Sequence, residues 1–170
     1  ALRELEKTLN VEKDALDDVE FVERRLASAD PFIRLKGILK KRYGAMYVTN
    51  AWLKGYEMYS RQCLKLLQGG GIPLKTFHNA ELPGGFVGAM LHYAAREGFE
   101  VDWVASSLYP SAGSGALGDS FGLYRDNRDR WMMDAEMPGD LTQLAQVREV
   151  AARVRARQGG GVDLYTADAG

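Results

Sequence analysis

The chain has one cysteine, Cys63, in 170 residues. That excludes a disulfide framework, and the absence of one fits a reducing compartment. It has only two histidines, His78 and His92, and neither has partners at metal-ligand spacing. No metal site is expected, and each histidine reads as a packing or surface residue. Formal net charge is −1, so no global positive field announces nucleic acid. Any RNA surface must then be a local patch, such as Lys36, Lys40, Lys41 and Arg42, although such a run also describes an ordinary solvated face. No apolar run approaches the roughly 20 residues that span a bilayer. The opening segment is charged and lacks the apolar centre of a signal peptide. The single Pro83-Gly84-Gly85 turn lacks the Gly-x-Gly-x-x-Gly spacing, which argues against a dinucleotide site there. The expectation is an intracellular protein, nuclear or cytoplasmic, with no targeting address in the chain.

With 46% hydrophobic residues there is enough to bury one core. Residues 1 to about 68 carry helical periodicity. Leu2, Leu5 and Leu9, then Val11, Leu16, Val19, Phe21, Val22 and Leu26, recur among charges. Ser28-Ala29-Asp30-Pro31 reads as a stop followed by a new start. Phe32, Ile33, Leu35, Ile38 and Leu39 supply the next apolar face. Gly44 interrupts, a further helix is expected from Tyr47 to Leu67, and Gly69-Gly70-Gly71 ends it. The character then changes. Leu74–Ala80 and Val101–Leu108 read as strands around a Phe86–Arg96 helix stopped by Gly98, which argues for a parallel sheet. Pro110–Asp126 reads as a long loop and Trp131-Met132-Met133 as a short strand. Leu141–Arg157 is a helix with Thr142 as its possible cap, ended by Gly159-Gly160-Gly161. Val162–Ala167 is the last strand. The segments divide as a helical extension over 1–48 and a sheet domain over 49–170.

The stretch with most chemical content is Glu81-Leu82-Pro83-Gly84-Gly85-Phe86. A strand that breaks at a Gly-rich turn and opens a helix presents backbone N–H groups and a positive helix end to a nucleotide-like ligand. Gly84 and Gly85 allow a tight turn and close approach of a ligand. Glu81 stands where a carboxylate can receive hydrogen bonds from a cationic or hydroxylated ligand. The same letters also describe an ordinary strand-to-helix turn.

Four elements in order resemble the FtsJ-like family of S-adenosylmethionine-dependent ribose 2′-O-methyltransferases, in its cap-methylating eukaryotic and large-DNA-virus branch. They lie between Asn50 and Gly170. Ala80 to Phe86 is similar to the family's Pro-Gly-Gly cofactor motif. Gly139-Asp140-Leu141-Thr142 is similar to its Gly-Asp-Ile-Thr element, whose Asp lies near the cofactor's adenine. Asp163-Leu164-Tyr165-Thr166-Ala167-Asp168 is similar to the strand that ends in the catalytic Asp. Ala51-Trp52-Leu53-Lys54-Gly55-Tyr56-Glu57-Met58 resembles the helix with the first catalytic Lys. The resemblance implies a Rossmann-like α/β methyltransferase sheet, here its first half, after a helical extension. It implies S-adenosyl-L-methionine held by Glu81, Pro83, Gly84, Gly85, Phe86, Ser107 and Asp140, and catalysis by Lys54 and Asp168, with no metal.

Lys65, in Ser60-Arg61-Gln62-Cys63-Leu64-Lys65-Leu66, is a rival to Lys54, which matches more positions. Ser106-Ser107 stands where many methyltransferases carry an acid for the cofactor ribose. The family's second Lys and its Glu belong to later strands, which places the chain as the first part of a longer protein or a partner of another subunit. The implied substrate is RNA, capped mRNA in particular. The implied chemistry is transfer of a sulfonium methyl to a ribose 2′-hydroxyl, helped by a lysine that acts either as a neutral amine, which burial and nearby cations favour, or through a charge that stabilises the developing alkoxide. The competing expectation is a catalytically degenerate domain that binds RNA or serves as a scaffold in a capping assembly.

Overall fold

The structure, a computed structural model, describes residues 4–5, 7–9, 11, 29–62, 64–67, 72–111 and 118–168. The expected helix spanning Leu16 to Leu26, Cys63 and the Gly69–Gly71 stop lie outside the described residues. The chain divides into two compact units, Ala1–Ile38 and Leu39–Gly170.

In the first unit Asp30 organises a helix start. Its Oδ1 accepts from Phe32 N at 2.9 Å and its Oδ2 from Lys36 Nζ at 2.6 Å. A carboxylate there satisfies an orphan amide and faces the positive helix end. The helix that follows, α1, runs Ile33–Tyr43 and passes out of this unit at Ile38. Phe32, Ile33, Leu35 and Ile38, which the periodicity marks as an apolar face, remain 42–57% exposed.

The second unit holds the sheet. Gly44 (φ +63) stops α1, and α2 spans Asn50–Arg61. It starts later than Tyr47, the start expected from sequence, because Thr49 is the cap: its hydroxyl accepts from Trp52 N at 3.0 Å. Ala45 and Val48, which the sequence reading assigns to the preceding segment, are buried in this unit's core. After a 3₁₀ turn at Leu64–Leu67 come β1 (Leu74–Asn79), α3 (Gly85–Glu97) and β2 (Val101–Ala105). Gly98 (φ +74) closes α3 in the left-handed conformation. Then follow α4 (Leu123–Asp126), α5 (Leu144–Gln158) and β3 (Leu164–Ala167).

The described strands pair in the order β2-β1-β3, all parallel. Leu74 lies opposite Val101, and Thr76 opposite both Trp103 and Leu164. This is a Rossmann-like α/β sheet. The chain leaves β1 toward β2 and returns on β1's other edge as β3, so the winding reverses at β1. Ligands of such sheets gather at the carboxyl ends beside that reversal.

Two apolar clusters hold the layers. One joins Trp52 and Tyr59 of α2 to Phe86, Ala89, Met90 and Tyr93 of α3 and Leu74 of β1. The other joins Val87, Trp103, Val104, Leu123, Trp131, Val150 and Val154. Alpha5 is also fixed by polar contacts: Gln158 Nε2 donates to Asp102 O (3.0 Å) and Lys75 Nζ to Gln158 O (2.6 Å).

Two local expectations are corrected. Trp131-Met133 makes a single parallel bridge, Ala105 with Trp131, because Asp134 Oδ1 accepts from Glu136 N and Met137 N and turns the chain away. Thr142 does not cap α5, which starts at Leu144. Its N–H and hydroxyl both donate to Asp140 Oδ1, at 2.9 and 2.7 Å.

Candidate active site at the carboxyl edge of the sheet

Beta1 ends at Asn79, and Ala80 takes a positive φ of 54°. Asn79 Oδ1 accepts from Ala80 N at 3.0 Å, the kind of local bond that makes such a backbone tolerable. Glu81 N then donates to Ser106 O at 3.1 Å, and Leu82 N to Ser107 Oγ at 3.4 Å. The Pro-Gly-Gly turn is thereby stitched to the carboxyl end of β2. Gly84 N returns to Glu81 O at 2.6 Å, and α3 begins.

Both glycines of the turn have packing reasons. Gly84 sits at φ +115, and a Cβ there would lie 2.5 Å from Leu123 Cδ2. A Cβ on Gly85 would lie 2.7 Å from Thr49 Oγ1, 2.9 Å from Ala51 Cβ and 3.1 Å from Trp52 N. The start of α3 therefore presses on the start of α2. Phe86 points into the core, 5% exposed, edge-on to Tyr59. Pro83 and Ser107 are half-buried at the edge.

The close fit of α2 on α3 positions Lys54, which sits one turn into α2. Its Nζ reaches Asp168, the residue after β3, at 3.1 Å to Oδ1 and 3.4 Å to Oδ2. The two are 114 residues apart in sequence. Their side chains are 61% and 35% exposed. A pair this open contributes roughly 0–1 kcal/mol to stability; the packing of α2 on α3 and the pairing of β3 with β1 bring the two together. Lys54 lacks the burial that would favour a neutral amine, one of the two roles expected of the lysine. The side chain of Lys65, on the 3₁₀ turn, lies outside the described residues.

Glu81 is 4% exposed. Its Oε1 accepts from Val87 N at 2.7 Å in the first turn of α3. Burial pushes its carboxyl up to about 8; bonds from the Val87 and Phe86 amides oppose this, and the charge of Asp168 adds to it. Tyr59, packed nearby, is raised as well, by burial first and then by Glu81. Asp140 lies on a loop held against the end of β2. Pro138 O accepts from Tyr109 N at 2.7 Å, and a Cβ on Gly139 (φ +72) would collide with Ser107 O. Thr142 holds the Asp140 carboxylate below its ordinary range, and Asp140 N donates to Gln146 Oε1 at 2.8 Å. Ser106 Oγ is buried there without a hydrogen-bond partner among the described residues.

The sequence-derived residues thus fall into two groups. Glu81, Pro83, Ser107, Asp140, Lys54 and Asp168 line the carboxyl edge, while Gly84, Gly85 and Phe86 shape it from below. Tyr59 was missed, since nothing in local pattern marks a helix tyrosine. Among the described residues no group of His, Cys, Asp and Glu could hold a metal ion.

Whole-segment comparison agrees with the short motifs. The chain is 38% identical over 155 residues to "Probable methyltransferase EP424R" of African swine fever virus, covering 85% of this chain and 35% of that protein. It is 33% identical over 143 residues to an uncharacterised protein of Acanthamoeba polyphaga mimivirus, covering 83% of this chain and 18% of that protein. A Drosophila melanogaster "Cap-specific mRNA (nucleoside-2'-O-)-methyltransferase 2" is 28% identical over 181 residues, covering 99% of this chain and 25% of that protein. These matches support the resemblance to methyltransferases of large DNA viruses and eukaryotes. The chain spans about a third of the length of the swine fever virus relatives. No family model and no solved structure matches it.

Proposed function

We propose that this chain contributes the cofactor-binding and first catalytic elements of an S-adenosylmethionine-dependent RNA ribose 2′-O-methyltransferase acting on the mRNA cap. The observation that carries the reading is the Lys54–Asp168 pair at the carboxyl edge of a parallel sheet. The similarity to a cap-specific 2′-O-methyltransferase supports the choice of acceptor.

In this reading the donor lies across the edge. Asp140 and the amides around Ser107 meet its adenosine, and Glu81 and the Pro83–Gly84 turn meet its amino-acid and sulfonium end. Bound S-adenosylmethionine supplies the methyl group and its leaving thioether. Lys54 meets the ribose hydroxyl and stabilises the negative charge that develops on its oxygen as the O–C bond to the methyl forms and the hydroxyl's proton is released, finally to solvent, while Asp168 orients the lysine. Because Lys54 is open to water in the free protein, substrate itself must exclude solvent from the pair. In-line placement of the two reacting atoms supplies much of the remaining barrier reduction. Among the described residues no helix is long and apolar enough to cross a membrane. The printed activity of the Drosophila relative directs the search for a partner to RNAs.

Calorimetry with S-adenosylmethionine tests the cofactor assignment. The intact protein is expected to bind, and Asp140→Asn, which keeps an oxygen for Thr142, is expected to weaken binding by about tenfold, roughly 1.4 kcal/mol. No binding by the intact protein removes the proposal. Gly84→Val is a poor probe, since the Leu123 contact predicts a folding defect instead.

A further inference from the structure

Glu81 stands apart from the other acids at the edge. Asp168 has Lys54, and Asp140 has Thr142 and solvent. Glu81 is the one buried acid among the described residues, and no side-chain ion pair reaches it. The groups that face it are few. From α3 come the Val87 and Phe86 amides, from α2 the Tyr59 phenol, from the end of β3 the Asp168 carboxylate, and from β2 the Ser106 carbonyl that accepts its N–H. Lys54 is directed to Asp168. His78, three residues back on β1, is held neutral by burial. Helix amides offer only partial positive charge. A buried carboxylate beside a second carboxylate is unfavourable unless a full positive charge arrives.

We propose that Glu81 couples occupancy of this edge by a cation to release of a proton, so that the edge distinguishes a sulfonium donor from the neutral thioether left after methyl transfer. In the free protein the carboxyl keeps its proton, which also lessens repulsion with Asp168. A sulfonium replaces that proton: the O–H breaks, the proton leaves to solvent, and the carboxylate faces the cation. After methyl transfer the positive charge is gone, Glu81 takes a proton back, and the thioether is held less tightly. The inference rests on the proposed use of S-adenosylmethionine at this edge.

The test is calorimetry of the intact protein near pH 7, in phosphate and in Tris, with S-adenosylmethionine and with S-adenosylhomocysteine. The heat difference between buffers counts protons. The two ligands share the adenosine and the amino-acid group, so their difference isolates the sulfonium. The donor is expected to release about 0.9 proton more than the product, the protonated fraction of a carboxyl near 8 at that pH. Glu81→Gln is expected to abolish the difference. Equal proton release by the two ligands on the wild-type protein overturns the inference, and that comparison needs no variant. A difference that survives in Glu81→Gln assigns the proton elsewhere and also overturns it. A protein that binds the product but releases no extra proton with the donor loses only this inference. A protein that binds neither ligand contradicts the proposed function itself.

Discussion

Replacing Gly85 with alanine separates a ligand-contact role from a packing role for the motif. The added Cβ would lie 2.7 Å from Thr49 Oγ1, 2.9 Å from Ala51 Cβ and 3.1 Å from Trp52 N. Two of these atoms are the donor and acceptor of the α2 cap, and one is backbone, so no side-chain rotation relieves them all. Overpacking of this kind costs about 1–3 kcal/mol. Disturbing a threonine cap costs about 0.5–2 kcal/mol more. Gly85→Ala is therefore expected to destabilise the protein by about 1.5–5 kcal/mol, measured as a shift of the urea midpoint with unchanged slope. Thr49→Ala removes the cap and the nearest clash together, so the double variant should be more stable than the sum of the single losses. If Gly85→Ala unfolds like wild type within about 0.5 kcal/mol and loses only cofactor affinity, the packing argument is wrong.

Other outcomes follow from the buried titratable groups. Glu81 has its proton affinity raised on folding, so its stabilising contribution is present below about pH 4.5 and lost as pH rises through about 8. Measured against Glu81→Gln, wild-type stability should fall by on the order of 3–5 kcal/mol between about pH 5 and pH 9; parallel curves would refute this. His78 behaves oppositely. Buried between Thr166 Oγ1 (2.8 Å) and Thr76 Oγ1 (2.9 Å), it is pushed down to about 3. Its contribution is present above about pH 6.5 and is lost as pH falls toward 3. His78→Gln should flatten that acid limb in urea titrations at successive pH values. Trp52 is 1% exposed and stacked on Tyr56 at 5.0 Å, so Trp52→Ala should cost about 3–5 kcal/mol by denaturant unfolding.

The strand–turn–helix–strand core was readable because its signals are local. Period-two burial in Leu74, Thr76 and His78, glycine punctuation at Gly84 and Gly98, and the helical spacing of Phe86, Met90 and Tyr93 agree with one another. The bridge at Trp131 was not readable as isolated, because its extent is decided by the Asp134 turn that follows. Thr142 looked like a cap because residue type cannot say whether its hydroxyl goes forward to α5 or back to Asp140. The site was legible only in part. Glu81 and Asp140 announce themselves beside turns, but the meeting of Lys54 with Asp168 depends on how α2 crosses α3 and on parallel pairing of β3 with β1. No periodicity contains that; only the family resemblance did. Phe86, a motif letter expected at a ligand, is buried in the core edge-on to Tyr59.

The most direct measurement is transfer of labelled methyl from S-adenosylmethionine to capped RNA by the intact protein, its Lys54→Ala variant and its Lys65→Ala variant. Loss of a positioned acid–base or charge-stabilising lysine is expected to reduce the rate by about 10²–10⁴-fold in Lys54→Ala, with Lys65→Ala close to wild type. Full activity in Lys54→Ala, or its loss in Lys65→Ala alone, would contradict the account.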